Sequence, residues 1–290
     1  MQTIHEKAYA KLNISLDVTE RRQDGYHNMV MVMQTVSLCD DLTISFNDSG
    51  RVQAQSSMTF IPGDERNLAV RAALKFLEAS GNAGQGMLIT LNKHIPVGAG
   101  MGGGSSDAAA VLRALNNHYG RPLTLPALEA LAGEVGSDVP FCVAGGTALA
   151  KGRGEALSVL PDIPNCRFVI CKPEFSISTP ELFRKLDQTP LRAHPDTAGL
   201  VRAIEAGDLP GMCRRMYNVF EDVDDRRLRT VAEIKSVLLD YGALGAVMSG
   251  TGSAVFGLFP DRASAENAWR ALHKNYRECF CTETIDRLEV

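Results

Sequence analysis

Between a predicted strand and a predicted helix, the chain carries the segment Pro96-Val97-Gly98-Ala99-Gly100-Met101-Gly102-Gly103-Gly104-Ser105-Ser106-Asp107. Its glycines allow the backbone to approach a ligand closely, and they expose consecutive N–H groups. The N-terminus of the helix that follows adds a partial positive charge. The hydroxyls of Ser105 and Ser106 supply further hydrogen-bond donors. The segment therefore predicts a phosphate-binding loop rather than a plain connection.

Two common phosphate-binding loops do not fit this segment. Residues 98–103 satisfy the pattern Gly-x-Gly-x-x-Gly of dinucleotide-binding folds, which also require an acidic residue about twenty positions further on. Residues 119–126 have the sequence Tyr-Gly-Arg-Pro-Leu-Thr-Leu-Pro instead. A Walker A loop needs Gly-Lys-Ser/Thr, and no lysine lies between Pro96 and Arg113. The nicotinamide oxidoreductase and P-loop interpretations are therefore disfavoured.

Length and composition predict a globular chain of two lobes. Of its 290 residues, 45% are hydrophobic and 22% are charged, and a single core rarely grows beyond about 250 residues. The Gly- and Pro-bearing region 152–164 is the expected boundary, which predicts lobes at 1–155 and 156–290. A net charge of −4 argues against nucleic acid and an anionic membrane as partners, and favours small molecules.

Cysteine usage and hydropathy predict a cytoplasmic protein. The seven cysteines are scattered, apart from Cys279-x-Cys281, and lack the spacing of a zinc site or a disulfide framework. Charged residues interrupt the first stretch where a secretion signal would need apolar residues. The uncharged stretch from Tyr241 to Pro260 is interrupted by five glycines, as two short strands around a loop would be. No heptad pattern predicts an oligomeric state.

The periodicity of apolar residues predicts an α+β fold. Residues 8–18 alternate with period two, which indicates a half-buried strand with Lys11 and Asn13 on its polar face. Further strands are predicted at 28–38, 41–46, 51–55, 87–91, 243–249, 253–259 and 279–284. Helices are predicted from residue 67 to 81, at 105–118, from 126 on, after Thr179-Pro180, and at 196–206, 210–219, 225–240 and 262–274.

Three motifs in order resemble those of the GHMP kinase superfamily. The glycine-rich segment is similar to the family's second motif, Pro-x-x-x-Gly-Leu-Gly-Ser-Ser-Ala, with Met101 and Gly104 as departures. Candidates for the other two motifs are Lys11-Leu-Asn-Ile-Ser-Leu16 and Met248-Ser-Gly-Thr-Gly-Ser-Ala-Val-Phe-Gly257. The resemblance implies a two-lobe architecture, with an N-terminal lobe related to ribosomal protein S5 domain 2 and a ferredoxin-like C-terminal lobe. It also places the active site between them.

Within this superfamily the chain most resembles the kinases that act on 4-diphosphocytidyl-2-C-methyl-D-erythritol in non-mevalonate isoprenoid synthesis. The residues that carry this likeness are Lys11-x-Asn13, Arg22-Gln-Asp-Gly-Tyr-His27, the glycine-rich segment and Gly136-Ser-Asp-Val-Pro-Phe141. The resemblance implies transfer of the γ-phosphoryl group of ATP to the 2-hydroxyl of a polyol linked to cytidine diphosphate. Because the loop supplies no lysine, we expect Mg²⁺ to neutralise the triphosphate, held by a hydroxyl such as that of Ser106 and by waters.

Lys11 and Asp138 are the candidate catalytic residues. Phosphoryl transfer needs a group that accepts the proton of the attacking hydroxyl, and the family pattern places its catalytic aspartate at Asp138. Lys11 would bind the acceptor hydroxyl and Asp138 together, and Asn13, on the same face of the strand, would position the substrate. From local sequence alone, a surface turn at Asp138 is an equally ordinary interpretation, and a solvated Lys11 is the favoured one.

An aromatic pocket for cytosine is expected around Tyr26 and His27. The dipeptide Asp24-Gly25 predicts a hairpin turn here. The ring of Tyr26 can stack on a base and His27 can hydrogen-bond its edge. The resemblance implies these roles, and it matches Phe183 to the aromatic residue on the other side of the base. Helical spacing makes Phe183 equally compatible with a core position.

The remaining candidates surround the nucleotide and the substrate diphosphate. By resemblance, Asn67, Lys93 and Asp107 lie near the adenine or ribose, although Asn67 also suits a helix cap. Gly250, Thr251 and Gly252 form the third-motif loop, which is expected to close over the cleft and bind phosphate through backbone N–H groups. No metal-binding cluster is visible in the sequence.

Two other functions remain open at this point. A kinase acting on homoserine or a mevalonate derivative would share the three motifs, but its small acceptor does not require Tyr26 and His27. A catalytically silent nucleotide-binding paralogue is disfavoured because both Lys11 and Asp138 are present.

Overall fold

A computed structural model describes residues 3–290, which form two mixed α/β lobes. The strands are β1 (Thr3–Arg21), β2 (His27–Asn47), β3 (Val52–Ser56), β4 (Gly86–Asn92), β5 (Thr147–Gly152), β6 (Ala156–Val159), β7 (Arg167–Lys172), β8 (Tyr217–Asn218), β9 (Gly245–Met248), β10 (Val255–Phe259) and β11 (Glu278–Glu283). The helices are α1 (Leu68–Ala79), α2 (Gly103–His118), α3 (Leu125–Val135), α4 (Val139–Ala144), α5 (Thr179–Leu186), α6 (Thr197–Glu205), α7 (Leu209–Cys213), α8 (Leu228–Asp240) and α9 (Arg262–His273).

The larger sheet is built on the long antiparallel pair β1 and β2. Its strand order is β3-β4-β2-β1-β8, and β5 pairs with the other part of β2 and with β6. Helices α1, α2 and α4 pack against it, and Phe76 of α1 and Phe141 of α4 are fully buried there. This sheet therefore supports the two helices, α2 and α4, whose N-termini meet at the site described below.

The smaller sheet has the strand order β11-β7-β10-β9, with every pairing antiparallel. In chain order this is 4-1-3-2, with helices between the first and second strands and between the third and fourth. That connection is the βαββαβ topology of a ferredoxin-like lobe. The predicted α+β fold with this second lobe is confirmed.

The central part of β1 is buried on both faces. Ala10, Leu12 and Ile14 pack with Phe168 and Phe256 of the smaller sheet, and so join the cores of the two lobes. On the other face Lys11 is 5% exposed and Asn13 is fully buried. The prediction of a half-buried strand is therefore wrong in one respect. The polar face of this part of β1 does not meet solvent, because other elements cover it.

Several predicted boundaries need correction. Residues 28–38 and 41–46 form one strand, β2, rather than two, because Cys39 and Asp40 between them also pair with β1. The helix predicted at 210–219 ends at Cys213, and β8 follows it. The sequence analysis missed α4 and strands β5 to β7. Their short apolar runs have no clear period, which makes helix and strand hard to distinguish.

Two later segments return to the larger sheet. Strand β8 pairs in parallel with Ser15 and Leu16 of β1, and the C-terminal segment bridges to Val36 and Gly145. Strand β6, at residues 156–159, pairs with β5. The division of the chain at 155/156 therefore stays a prediction. Across residues 3–290, none of the helices has the length and apolar character needed to cross a membrane.

Candidate active site

The glycine-rich segment forms a tight loop between β4 and α2. Gly98, Gly100 and Gly102 have positive φ angles, and Gly102 is the N-cap of α2 with φ +71°. A Cβ at Gly102 would lie 2.9 Å from Cγ of Lys11, so only glycine allows the lysine stem to pass under the helix. The backbone N–H of Lys11 donates to the carbonyl of Met101 over 3.1 Å. The loop and β1 are thus fixed to each other.

The third-motif loop, residues 249–253, packs directly on the glycine-rich loop. A Cβ at Gly100 would lie 2.0 Å from the carbonyl oxygen of Ser249, so the two backbones approach without room for a side chain. The hydroxyl of Ser249 donates to the carbonyl of Gly100 over 2.9 Å. Asn218 donates from Nδ2 to the carbonyls of Met248 and Gly250, each over 2.8 Å. One asparagine therefore holds the third-motif loop in place.

The two candidate catalytic side chains meet below these loops. Nζ of Lys11 lies 3.2 Å from Oδ2 of Asp138 and donates to Oδ1 of Asn13 over 2.7 Å. Asp138 is the N-cap of α4, and its side chain makes no capping hydrogen bond. The carboxylate is 28% exposed and the lysine side chain 6%. Asp138 therefore reaches solvent in the cleft, whereas the ammonium of Lys11 is enclosed. This burial excludes the interpretation of Lys11 as a solvated surface lysine.

The predicted aromatic residues line the same cleft. The rings of His27 and Phe183 stack with their centroids 4.7 Å apart and their planes at 24°. Nε2 of His27 lies 2.7 Å from Oδ1 of Asp187. The ring of Tyr26 is exposed, and the guanidinium of Arg153 lies 5.1 Å from its centre. Phe183 also contacts Phe220 edge to face, so it is both a core residue and part of the cleft wall.

One cleft of about 790 Å³ brings together all of the predicted catalytic and substrate-binding residues. The predicted residues that line it are Lys11, Asn13, Tyr26, His27, Gly98, Gly100, Gly102, Ser105, Asp138, Phe183, Gly250, Thr251 and Gly252. The predicted nucleotide-side residues that do not line it are Asn67, Lys93, Pro96, Val97, Ala99, Met101, Gly103, Gly104, Ser106 and Asp107. The assignment of this second group to ATP stays a prediction.

Lys93 and Asp107 belong to a buried charge cluster beneath the glycine-rich loop. Nζ of Lys93 lies 2.5 Å from carboxylate oxygens of both Asp40 and Asp107. The other oxygen of Asp40 accepts hydrogen bonds from the backbone N–H groups of His94 and Ile95, which lead into the loop. Burial raises the pKa of Asp107 to about 7, although Lys93 opposes the shift. The cluster therefore anchors the start of the loop.

Asn67 and Ser106 have partners within the protein. Asn67 caps α1, since its Oδ1 accepts from the N–H of Ala69 over 3.0 Å. The buried hydroxyl of Ser106 donates to Sγ of Cys142 over 3.6 Å, and burial raises the pKa of that thiol to about 12. Ser105, by contrast, lines the cleft. The hydroxyl that faces the cleft is thus that of Ser105 rather than Ser106.

Four further charged residues of the cleft were not predicted from the sequence. Arg21, Arg153 and Arg184 line it together with Asp187. Their guanidinium groups and Lys11 give the wall more positive than negative charge, which suits an anionic ligand. Arg184 and Asp187 could have been suspected from the sequence, because they lie close to Phe183 in the same predicted helix. The sequence does not show, however, which face of that helix lines the cleft.

Two domain families match the chain in the expected order. Residues 67–146 match the GHMP kinases N terminal domain, and residues 200–278 match the GHMP kinases C terminal family. A solved homoserine kinase from Cytophaga hutchinsonii, 22% identical, superposes with a TM-score of 0.75 over 99% of this chain and 96% of that chain. At this identity the likeness shows the fold alone.

More similar proteins share one name. A Clostridium tetani protein called 4-diphosphocytidyl-2-C-methyl-D-erythritol kinase is 41% identical over 96% of this chain and 99% of its own length. A crystal structure of 4-(cytidine 5'-diphospho)-2C-methyl-D-erythritol kinase is 34% identical, with a TM-score of 0.80 over 97% of this chain and 100% of that chain. The resemblance drawn from the three motifs is confirmed. On this near full-length likeness, the chain belongs to the GHMP kinases and, among them, to the family of 4-diphosphocytidyl-2-C-methyl-D-erythritol kinases.

Proposed function

We propose that this protein transfers the γ-phosphoryl group of ATP to the 2-hydroxyl of 4-diphosphocytidyl-2-C-methyl-D-erythritol, giving the 2-phosphate and ADP. One observation carries the proposal: a single cleft is lined both by the Lys11–Asp138 pair and by the aromatic residues Tyr26, His27 and Phe183. The names of the similar proteins support the same substrate. The product would serve non-mevalonate synthesis of isoprenoid precursors.

Asp138 is the proposed base. The 2-hydroxyl oxygen forms a bond to the γ-phosphorus while the bond from that phosphorus to the β,γ-bridging oxygen breaks. The hydroxyl proton passes to the carboxylate of Asp138, which is partly exposed in the cleft and has Lys11 beside it. The ammonium of Lys11 stabilises the negative charge that develops on the attacking oxygen. Asn13 fixes the ammonium by accepting a hydrogen bond from it at Oδ1.

The glycine-rich loop is the proposed phosphate site. Gly98, Gly100 and Gly102 line the cleft just before the N-terminus of α2, where free backbone N–H groups and the helix dipole favour anions. The third-motif residues Gly250 and Thr251 also line the cleft, directly beside the glycine-rich loop. A polyphosphate lying along the two packed loops would meet backbone donors from both, with no lysine in either loop.

Mg²⁺ is proposed as the cation that accompanies ATP. Mg²⁺ usually keeps several waters and binds substrate phosphates with one or two protein ligands, so a dedicated cage is not required. Among residues 3–290 no cluster of three or more His, Cys, Asp or Glu side chains could hold a metal. The hydroxyl of Ser105 lines the cleft and fits this role. When bound, the ion would neutralise phosphate charge.

Two interpretations differ from this proposal, one in the acceptor and one in activity. A homoserine or mevalonate acceptor would leave the aromatic end of the cleft empty, whereas a cytidine base fills it. A silent paralogue is disfavoured by the short distance between Lys11 and Asp138. We also propose a cytoplasmic location, which the seven free cysteines support.

The test is ADP release from Mg·ATP with three acceptors supplied separately: the cytidyl substrate, homoserine and mevalonate. We expect turnover with the cytidyl substrate and background rates with the other two. Preference for another acceptor would refute the substrate assignment. ATP binding without turnover on any acceptor would favour the silent paralogue.

A further inference from the structure

Helix α5 presents two side chains to the same imidazole. Phe183 and Asp187 are four residues apart, so they lie on one face of the helix and its end. Phe183 stacks on the ring of His27, and Oδ1 of Asp187 accepts a hydrogen bond from Nε2 of that ring over 2.7 Å. His27 is 9% exposed and lines the cleft. The plane and the rotation of this ring are therefore both fixed by α5.

The hydrogen bond to Asp187 decides which nitrogen of His27 carries the proton. An ionised carboxylate can only accept, so Nε2 must be the N–H donor. In the neutral ring, Nδ1 then carries the lone pair and can only accept. Among residues 3–290 no hydrogen bond to Nδ1 is present. Nδ1 of His27 is thus a preset acceptor available to a ligand.

Helix energetics alone do not explain the position of Asp187. It follows the last helical residue of α5 as its C-cap, where a carboxylate meets the negative end of the helix dipole and is unfavourable. Arg21 offsets this charge only weakly, since its guanidinium lies 3.6 Å away and its side chain is 66% exposed. The close contact of Asp187 is with His27.

A preset acceptor distinguishes the two common pyrimidines. At position 4 cytosine has an amino group that donates, whereas uracil has a carbonyl oxygen that accepts. We propose that Asp187 is a positioning residue that, through the tautomer of His27, makes the site prefer cytosine over uracil. This inference rests on the proposed function, since it assumes that the cytidyl end of the substrate lies at His27. A uracil carbonyl would leave two acceptors facing each other without a proton between them.

The experiment compares the cytidyl substrate with its uridyl analogue. The ratio of kcat/KM values is measured for the wild type, for Asp187→Ala, which lacks the acceptor, and for Asp187→Glu, which restores one. Glu181→Gln removes a carboxylate charge from the same helix, where Glu181 pairs with Arg227 rather than with His27, and is the matched control. We expect Asp187→Ala to lower the ratio at least about tenfold, consistent with one mispaired buried polar contact. Asp187→Glu should recover part of the lost preference for the cytidyl substrate. Glu181→Gln should keep the wild-type ratio.

A second measurement reads the tautomer directly. With ¹⁵N-labelled histidine, and with His27 assigned by its loss in His27→Gln, the wild type should show a protonated Nε2 and an unprotonated Nδ1. Asp187→Ala should lose that bias. A wild type that carries the proton on Nδ1, or an Asp187→Ala variant with the wild-type ratio, would overturn the inference while leaving the kinase assignment intact. A wild type that does not phosphorylate the cytidyl substrate would overturn both.

Discussion

The ammonium of Lys11 lies 3.2 Å from the carboxylate of Asp138, although the two residues come from the first strand and the fourth helix. The N-cap position leaves Asp138 at the open side of the cleft, and Lys11 is enclosed below it. An acceptor hydroxyl bound above this pair would meet a base and a cation at once.

Replacing Asp138 by asparagine should abolish most of the turnover. The amide keeps the size of the side chain but cannot accept the hydroxyl proton, and general-base catalysis is worth about 10² to 10⁴ in rate. We expect kcat to fall by that factor while the Kd for ATP, measured by calorimetry, stays within about threefold. Asp48→Asn, at an exposed turn after β2, is the control and should keep wild-type kcat. A kcat within a factor of ten of wild type would exclude Asp138 as the base.

Lys11→Met should lower kcat without loss of the fold. Methionine fills the enclosed space of the lysine stem but removes the charge that would stabilise the transition state, a loss of about 10² to 10³ in kcat. The double variant Lys11→Met/Asp138→Asn should be little slower than the slower single variant, because residues that act as a unit are not additive. Multiplicative losses in steady-state kinetics would show that the two side chains act independently.

Gly100→Ala should destabilise the protein more than Gly120→Ala does. The two glycines have nearly equal φ angles, +76° and +78°, so placing an alanine in this conformation destabilises both variants by a similar amount, about 1–2 kcal/mol. A Cβ at Gly120 meets nothing within 4 Å, whereas one at Gly100 overlaps the carbonyl of Ser249. Overpacking adds about 1–3 kcal/mol at Gly100. Urea unfolding measures both values, and equal losses would disprove the close contact between the two loops.

Asp107→Asn should flatten the pH dependence of stability. Burial raises the pKa of this carboxyl to about 7, above its ordinary value of 3.8. Between these values the folded state binds a proton that the unfolded state has released, so stability falls as pH rises from about 4 to about 7. The asparagine variant lacks this titration. Urea midpoints at four pH values across that range test it, and identical slopes for variant and wild type would contradict it.

Local sequence was sufficient for the fold class and for the parts of the site that are continuous in the chain. The glycine-rich segment needs no distant residue to expose its N–H groups, because glycine itself permits the positive φ angles seen at Gly98, Gly100 and Gly102. The cap at Asn67 and the helices predicted from apolar periodicity depend equally on neighbours in sequence. The family motifs then led to Lys11 and Asp138.

Only the tertiary structure decided which of these residues share a cleft, how deeply each is buried and which groups each contacts. Burial turned Lys11 from an ordinary strand lysine into the enclosed partner of Asp138, and it placed Lys93 and Asp107 in a charge cluster under the loop. The contact between His27 and Asp187 joins residues 160 positions apart, and no local pattern encodes such a pair. The sequence by itself determined the backbone conformation of the glycine-rich segment and the family, because these depend on short-range sterics and motifs. Protonation, ring orientation and cleft charge depend on long-range packing.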